Sequence, residues 1–152
     1  MCDDLAGTSR FLELWGKGST ESICESCRGY WSERKGVYVV SKAQMENAKN
    51  QLGNVSGVTL LECETDDAWA RDVGATMVLD EKGAVCGVDW QFNAWGGTFD
   101  GLYRNWEKDD RVAAFICRTL GCPCLDARPF VLEGGSIHSD GEGTVMVLSL
   151  IH

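Results

Sequence analysis

The chain has 152 residues, 44% hydrophobic and 24% charged, which suffices for one globular domain with a real core and argues against disorder. Its net charge of -9, with no Lys- or Arg-rich run, disfavours nucleic acid and suits a small cation, although acidity also serves plain solubility. No apolar stretch approaches the roughly 20 residues needed to cross a bilayer. The start, Met1-Cys2-Asp3-Asp4, lacks the basic and apolar regions of a secretory signal, so a cytoplasmic protein without a membrane partner is expected.

In chain order, residues 1–35 show no sustained period and are assigned low order. Val37-Tyr38-Val39-Val40 reads as a strand, Met45, Ala48 and Leu52 share a helical face, and Val58-Thr59-Leu60-Leu61 reads as a second strand. Thr76-Met77-Val78-Leu79 and Ala84-Val85-Cys86-Gly87-Val88 flank Asp80-Glu81-Lys82-Gly83, a hairpin signal. A Trp/Gly-rich loop is expected from Trp90 to Tyr103. A helix is expected from Asn105 to Leu120, stopped by Gly121 and Pro123. A strand near Pro129 to Leu132 precedes a second hairpin, Ser136-Ile137-His138 and Thr144 to Leu148 around Asp140-Gly141-Glu142-Gly143.

Strand-helix-strand followed by a hairpin thus occurs twice, with Asp72 ahead of the first hairpin and Glu133 ahead of the second. Repeated modules about a shared axis are the natural reading. The chain stops at Leu150-Ile151-His152 after an apolar strand without a capping element, so a C-terminally truncated domain over 36–152 is expected, after a poorly defined segment 1–35.

The eight cysteines lack the density of a small disulfide scaffold, so thiols in a reducing compartment are expected. Cys24-x-x-Cys27 with Cys122-Pro123-Cys124 could be weighed as a four-thiolate zinc site, but the pairs differ in spacing and lie far apart. A histidine-based metal site fails on count, because only His138 and the terminal His152 exist. No metal or other cofactor is therefore expected.

Three segments mix acids, aromatics and glycines in strand ends or loops: 64–72 (ETDDAWARD), 87–97 (GVDWQFNAWGG) and 130–144 (FVLEGGSIHSDGEGT). Trp69 and Asp72 could offer an aromatic face and a carboxylate to one planar cation, although a core Trp beside a solvated Asp gives the same pattern. His138 and Asp140, two apart in an expected strand, leave on one face and suit proton delivery to departing ammonia. A turn-proximal histidine without a role fits those two residues as well. Ser136 lacks the G-x-S-x-G elbow of a serine hydrolase.

Together the three segments, with Gly101 to Asp110 (GLYRNWEKDD), resemble the agmatine/peptidylarginine deiminase family, most closely its agmatine deiminase branch, over about Gly36 to Val147. The resemblance implies an α/β fold, a five-module ββαβ propeller of the pentein type, with about two modules present. It implies a small cationic guanidine substrate, agmatine, hydrolysed to N-carbamoylputrescine and ammonia through a Cys-thiouronium intermediate, a step toward putrescine. It places Asp72 and Asp140 on the guanidinium, Trp69 along its slot and His138 as acid/base, with Glu133, Gly134 and Gly135 shaping the pocket. A homo-oligomer is compatible with it for the full-length parent.

In the family the nucleophilic cysteine belongs to a glycine-rich segment near the C-terminus, and none of the eight cysteines here matches it, so the chain by itself is expected to be inactive. Cys63 lies near Asp72 in sequence but not where the family pattern puts the nucleophile. Peptidylarginine deiminase-type activity and a noncatalytic cation-binding module remain the alternatives.

Overall fold

A computed structural model describes residues 12–14 (backbone), 36–52, 54–140 and 144–148. The Cys24/Cys27 pair, the hairpin tip 141–143 and the chain end at 149–152, including His152, lie outside the described residues. No helix among the described residues is long and apolar enough to cross a membrane.

The first sheet has the order β1 (Leu12–Leu14), β2 (Gly36–Val40), β3 (Val58–Glu62), all parallel. The 3-10 turn Lys42–Gln44 and helix α1 (Met45–Leu52) make the crossover from β2 to β3. As the central strand, β2 is apolar on both faces. Tyr38 and Val40 pack with Ala48 and Leu52 of α1, while Val39 joins a second cluster on the opposite face. β1 corrects the expectation of low order for 1–35: three residues are too few to show a period, and the strand is defined by pairing with β2.

Helix α2 (Ala70–Val73) leads into the second sheet, β4 (Thr76–Leu79), β5 (Val85–Gln91) and β6 (Cys124–Val131). β4 and β5 are the expected antiparallel hairpin, and β5 and β6 run parallel. The expected Trp90–Tyr103 loop is corrected at its start, because Trp90 and Gln91 continue β5, and in its middle, where α3 (Gly97–Asp100) forms. The expected 105–120 helix begins later, as a 3-10 turn Asp109–Arg111 and then α4 (Val112–Leu120), because Asp109 and Asp110 turn their side chains onto other loops. It ends, as expected, on Gly121 in the left-handed conformation. β6 starts five residues before the expected Pro129, through the Cys122-Pro123-Cys124 stretch.

α4 packs Val112 and Ile116 against Val39, Val73, Phe92 and Ala94, so the core sits between the two sheets and under the segment 92–106. Both Val112 and Ile116 are wholly buried.

The third sheet is the antiparallel pair β7 (Ile137–Ser139) and β8 (Val145–Val147). Its turn is closed in the same way as that of β4 and β5. Asp80 N–H donates to Ala84 O at 2.8 Å and its Oδ1 accepts Ala84 N–H at 2.8 Å. Asp140 N–H donates to Thr144 O at 3.3 Å and its Oδ1 accepts Thr144 N–H at 3.0 Å. Asp140 therefore lies at the mouth of the turn, one residue past β7, and not within the strand.

Candidate functional site

The loop after β3 is held by one buried carboxylate. Asp109, with no exposed surface, accepts the Thr65 hydroxyl and the Asp66 and Asp67 N–H groups (2.8 and 3.1 Å) on Oδ1, and the Tyr103 hydroxyl (2.6 Å) on Oδ2. Burial first, then Asp109, raises the Tyr103 phenol above its ordinary pKa, so it stays a donor. Asp67 Oδ1 in turn accepts the Ala68 and Trp69 N–H groups at 2.6 and 3.2 Å. Trp69 stands at the start of α2, 64% exposed.

Asp72, on α2, joins all three motif segments. Its Oδ1 accepts Gly134 N–H at 2.9 Å and the Trp95 indole N–H at 3.4 Å. Arg71 beside it donates to Ile137 O at 3.2 Å, so the Arg-Asp pair grips both ends of the 3-10 turn Gly134–Ser136. A Cβ on Gly134 would fall inside contact distance of the Arg71 backbone, so only glycine allows this approach. Gly135 differs: a Cβ there would meet nothing within 4 Å. Glu133 contributes its carbonyl, which accepts Ser136 N–H at 2.8 Å and the Ser136 hydroxyl at 2.6 Å. The buried serine hydroxyl is thus used structurally.

Trp95 reaches Asp72 through an unusual backbone. Ala94 and Trp95 have φ of 54° and 59°, left-handed values that cost a non-glycine residue about 1–2 kcal/mol each. The surroundings hold them there: Ala94 is fully buried with its carbonyl on Leu102 N–H (2.9 Å), and Phe92 packs edge-on against Trp95 at 5.1 Å.

Asp110 fastens the same segment from below. Its Oδ1 accepts Phe92 N–H at 2.8 Å and its Oδ2 lies 3.1 Å from Arg128. Arg128 also donates to Asp110 O at 2.8 Å and meets Asp89 Oδ2 at 3.5 Å. Asp89 is buried, and among the described residues its Oδ1 has no hydrogen-bond partner. Burial pushes its pKa up, against the lowering effect of Arg128. Sequence reading assigned no role to Asp109, Asp110, Tyr103, Trp95 or Arg128; the signal available was that all but Arg128 stand inside the matched segments 87–97 and 101–110.

His138 lies on β7, four residues past the Gly134 N–H on Asp72, exposed and paired across the hairpin with Met146. Asp140 follows at the turn. Cys63 is half-buried, and burial followed by the Glu64 carboxylate raises its pKa, the opposite of an activated nucleophile. The zinc alternative needs Cys24 and Cys27, which fall outside the described residues.

The mixed α/β scaffold thus gathers a tryptophan, a carboxylate and a glycine-rich turn ahead of a histidine-bearing hairpin. The sequence model of the family described as Porphyromonas-type peptidyl-arginine deiminase matches residues 19–151, and the chain belongs to that family. The match takes in residues 19–35, ahead of Gly36, where the resemblance read from the sequence begins. The chain is 53% identical over 107 residues to an agmatine deiminase of Ectopseudomonas mendocina, covering 70% of this chain and 29% of that protein. It is 50% identical over 107 residues to one of Pseudomonas putida, covering 70% and 29%. The solved agmatine deiminase of Enterococcus faecalis superposes with a TM-score of 0.78 at 38% identity, covering 88% of this chain and 39% of that one. The chain thus spans under a third of the length of these curated relatives.

Proposed function

We propose that the chain is the guanidinium-binding part of an agmatine deiminase, a hydrolase that cleaves the guanidino C–N bond of agmatine to give N-carbamoylputrescine and ammonia, on the way to putrescine. The observation that carries this reading is the convergence of the three family segments on Asp72. Trp69, exposed three residues before Asp72, would stack on a planar cation. Asp72 already uses Oδ1 for two protein donors, so Oδ2 is the oxygen a guanidinium N–H would take, with Asp140 as the second carboxylate.

His138 would give the proton that departing ammonia needs, after a cysteine thiolate has attacked the guanidinium carbon. That cysteine is taken to lie in a segment other than this chain, which by itself would bind and not turn over. Glu133, Gly134 and Gly135 would line the pocket, Gly134 through its close approach to Arg71. The β4-β5-α4-β6 unit has the ββαβ order of a propeller module, and β7-β8 would open the next. The exposed side chains of Val145, Met146, Val147 and Leu148 fit a surface that further modules cover.

Calorimetric titration of the 1–152 chain with agmatine, with released ammonia followed in parallel, tests the reading. Saturable binding that Asp72→Ala abolishes while keeping the circular dichroism spectrum is the expected result, without ammonia. No binding by a folded chain, or binding that Asp72→Ala leaves intact, would overturn it. Titration with a peptidyl-arginine mimic in the same format separates the peptidylarginine alternative.

A further inference from the structure

Three cysteines meet where α4 hands over to β6, outside the proposed guanidinium site. Gly87 of β5 is paired with Cys124 of β6 in parallel register. Paired residues in a parallel ladder point to the same face. A Cβ on Gly87 would fall inside contact distance of the Cys117 Sγ, so the Cys117 thiol occupies the space that Gly87 leaves vacant. The Cys124 side chain leaves the sheet beside that space. The Cys122 thiol, from the same stretch, donates to Cys117 O with its Sγ 3.7 Å away. Cys117 is buried, Cys124 exposed, and both are reduced.

We infer that Cys124 and Cys117 form a peroxide-responsive thiol pair, in which the exposed Cys124 takes the oxidant and the buried Cys117 resolves it as an intramolecular disulfide. The Cys124 thiolate attacks one oxygen of hydrogen peroxide; the O–O bond breaks, and the leaving hydroxide takes a proton to become water, giving a sulfenic acid. The Cys117 sulfur then attacks the sulfenic sulfur. An S–S bond forms, the S–O bond breaks, and hydroxide leaves with the Cys117 proton as a second water. Peroxide gains two electrons, one from each sulfur. A dithiol reductant reverses the change.

The division of labour follows from the surroundings. Burial, and then the thiols of Cys124 and Cys122 held against it, keep the Cys117 thiol well above its ordinary pKa. It is therefore a poor first nucleophile toward a dissolved oxidant. The sulfenic acid forms beside it, which turns the second step into an intramolecular one. Gly87 matters here, since any larger residue would displace the Cys117 thiol from its place next to Cys124.

The chain's own sequence supplies the readout. Arg118 separates Cys117 from Cys122 and Cys124, and Pro129 shields Arg128, so trypsin yields peptides 112–118 and 119–152. The reduced chain is treated with hydrogen peroxide, blocked with N-ethylmaleimide, digested without reductant and analysed by mass spectrometry. The expected result is a cross-link between these two peptides, with the mass of their sum less two hydrogens plus the one N-ethylmaleimide that blocks Cys122. It persists in Cys122→Ser, vanishes in Cys124→Ser, and forms at least about ten-fold faster in the folded chain than in urea. The inference is overturned by a cross-link that needs Cys122 instead of Cys124, by one formed equally fast in urea, or by Cys124 accumulating as sulfinic acid with Cys117 still blockable. A Gly87→Ala variant, which crowds the same thiol, should slow the cross-link without removing either cysteine.

Discussion

Replacing Asp109 by alanine tests how the site's first loop is held. Four donors lose their acceptor at once: the Thr65 and Tyr103 hydroxyls and the Asp66 and Asp67 amides. Hydrogen bonds to a charged group contribute about 1.5–3 kcal/mol each, but the sum overstates the loss, because the loop is part-exposed and water replaces some partners. A net destabilisation of about 3–4 kcal/mol is expected, a large share of the 5–15 kcal/mol typical of a whole domain. With a urea slope near 1–2 kcal/mol per molar, the midpoint should fall by about 2 M. Asp109→Asn keeps one oxygen, the one bearing three of the four bonds, and should cost about 1–2 kcal/mol. Urea unfolding followed by tryptophan fluorescence and circular dichroism reads both variants. The reasoning fails if Asp109→Ala shifts stability by less than about 0.5 kcal/mol, or if asparagine is as damaging as alanine.

Gly134→Ala should cost about 1–3 kcal/mol, since its Cβ meets the Arg71 backbone and must move the turn off Asp72, whereas Gly135→Ala should be near neutral; paired urea melts distinguish them. Asp89 binds its proton more tightly in the folded chain than in the unfolded one. Between the ordinary aspartate pKa of 3.8 and that raised value, the unfolded chain has released a proton the native state retains, so this residue's contribution to stability falls as pH rises through the window. Asp89→Asn should remove that slope. Equal slopes in the two proteins, measured as urea midpoints across acidic pH, would contradict the assignment.

The parts of the fold legible in the sequence were those with a strong local period. The β-branched runs at Val37–Val40 and Val58–Leu61, the acidic turns at Asp80 and Asp140, and the Gly121 stop each carry their cause within a few residues. β1 was hidden because its order comes from a neighbour 25 positions away in register, Leu12 against Val37. The start of β6 was hidden because Cys-Pro-Cys reads as a turn.

The helix start was misread for a more instructive reason. An Asp-Asp pair near a helix N-terminus is the ordinary complement to the helix dipole, and nothing local reveals that both carboxylates are committed to backbone N–H groups far off in the chain. The candidate site was legible as motifs, while its supports were not. Asp72's bonds to Trp95 and Gly134 span 23 and 62 positions, and only the folded chain shows that one oxygen takes both. The left-handed Ala94 and Trp95 carry no sequence signature, since glycine would be the usual residue there.

The two hairpins share a feature with a practical use. Asp80 and Asp140 each hold the residue four positions on, Ala84 and Thr144, by one amide-to-carbonyl bond and one amide-to-carboxylate bond, and Asp80 Oδ1 also accepts Lys82 N–H. A carboxylate gripped in this way from behind is steadied at the rim of a strand pair. Such a stretch is a portable mount for a negative charge. A designer wishing to place an acid at the lip of a new cavity could transplant it between two existing strands, and would need to check only the strand register on either side.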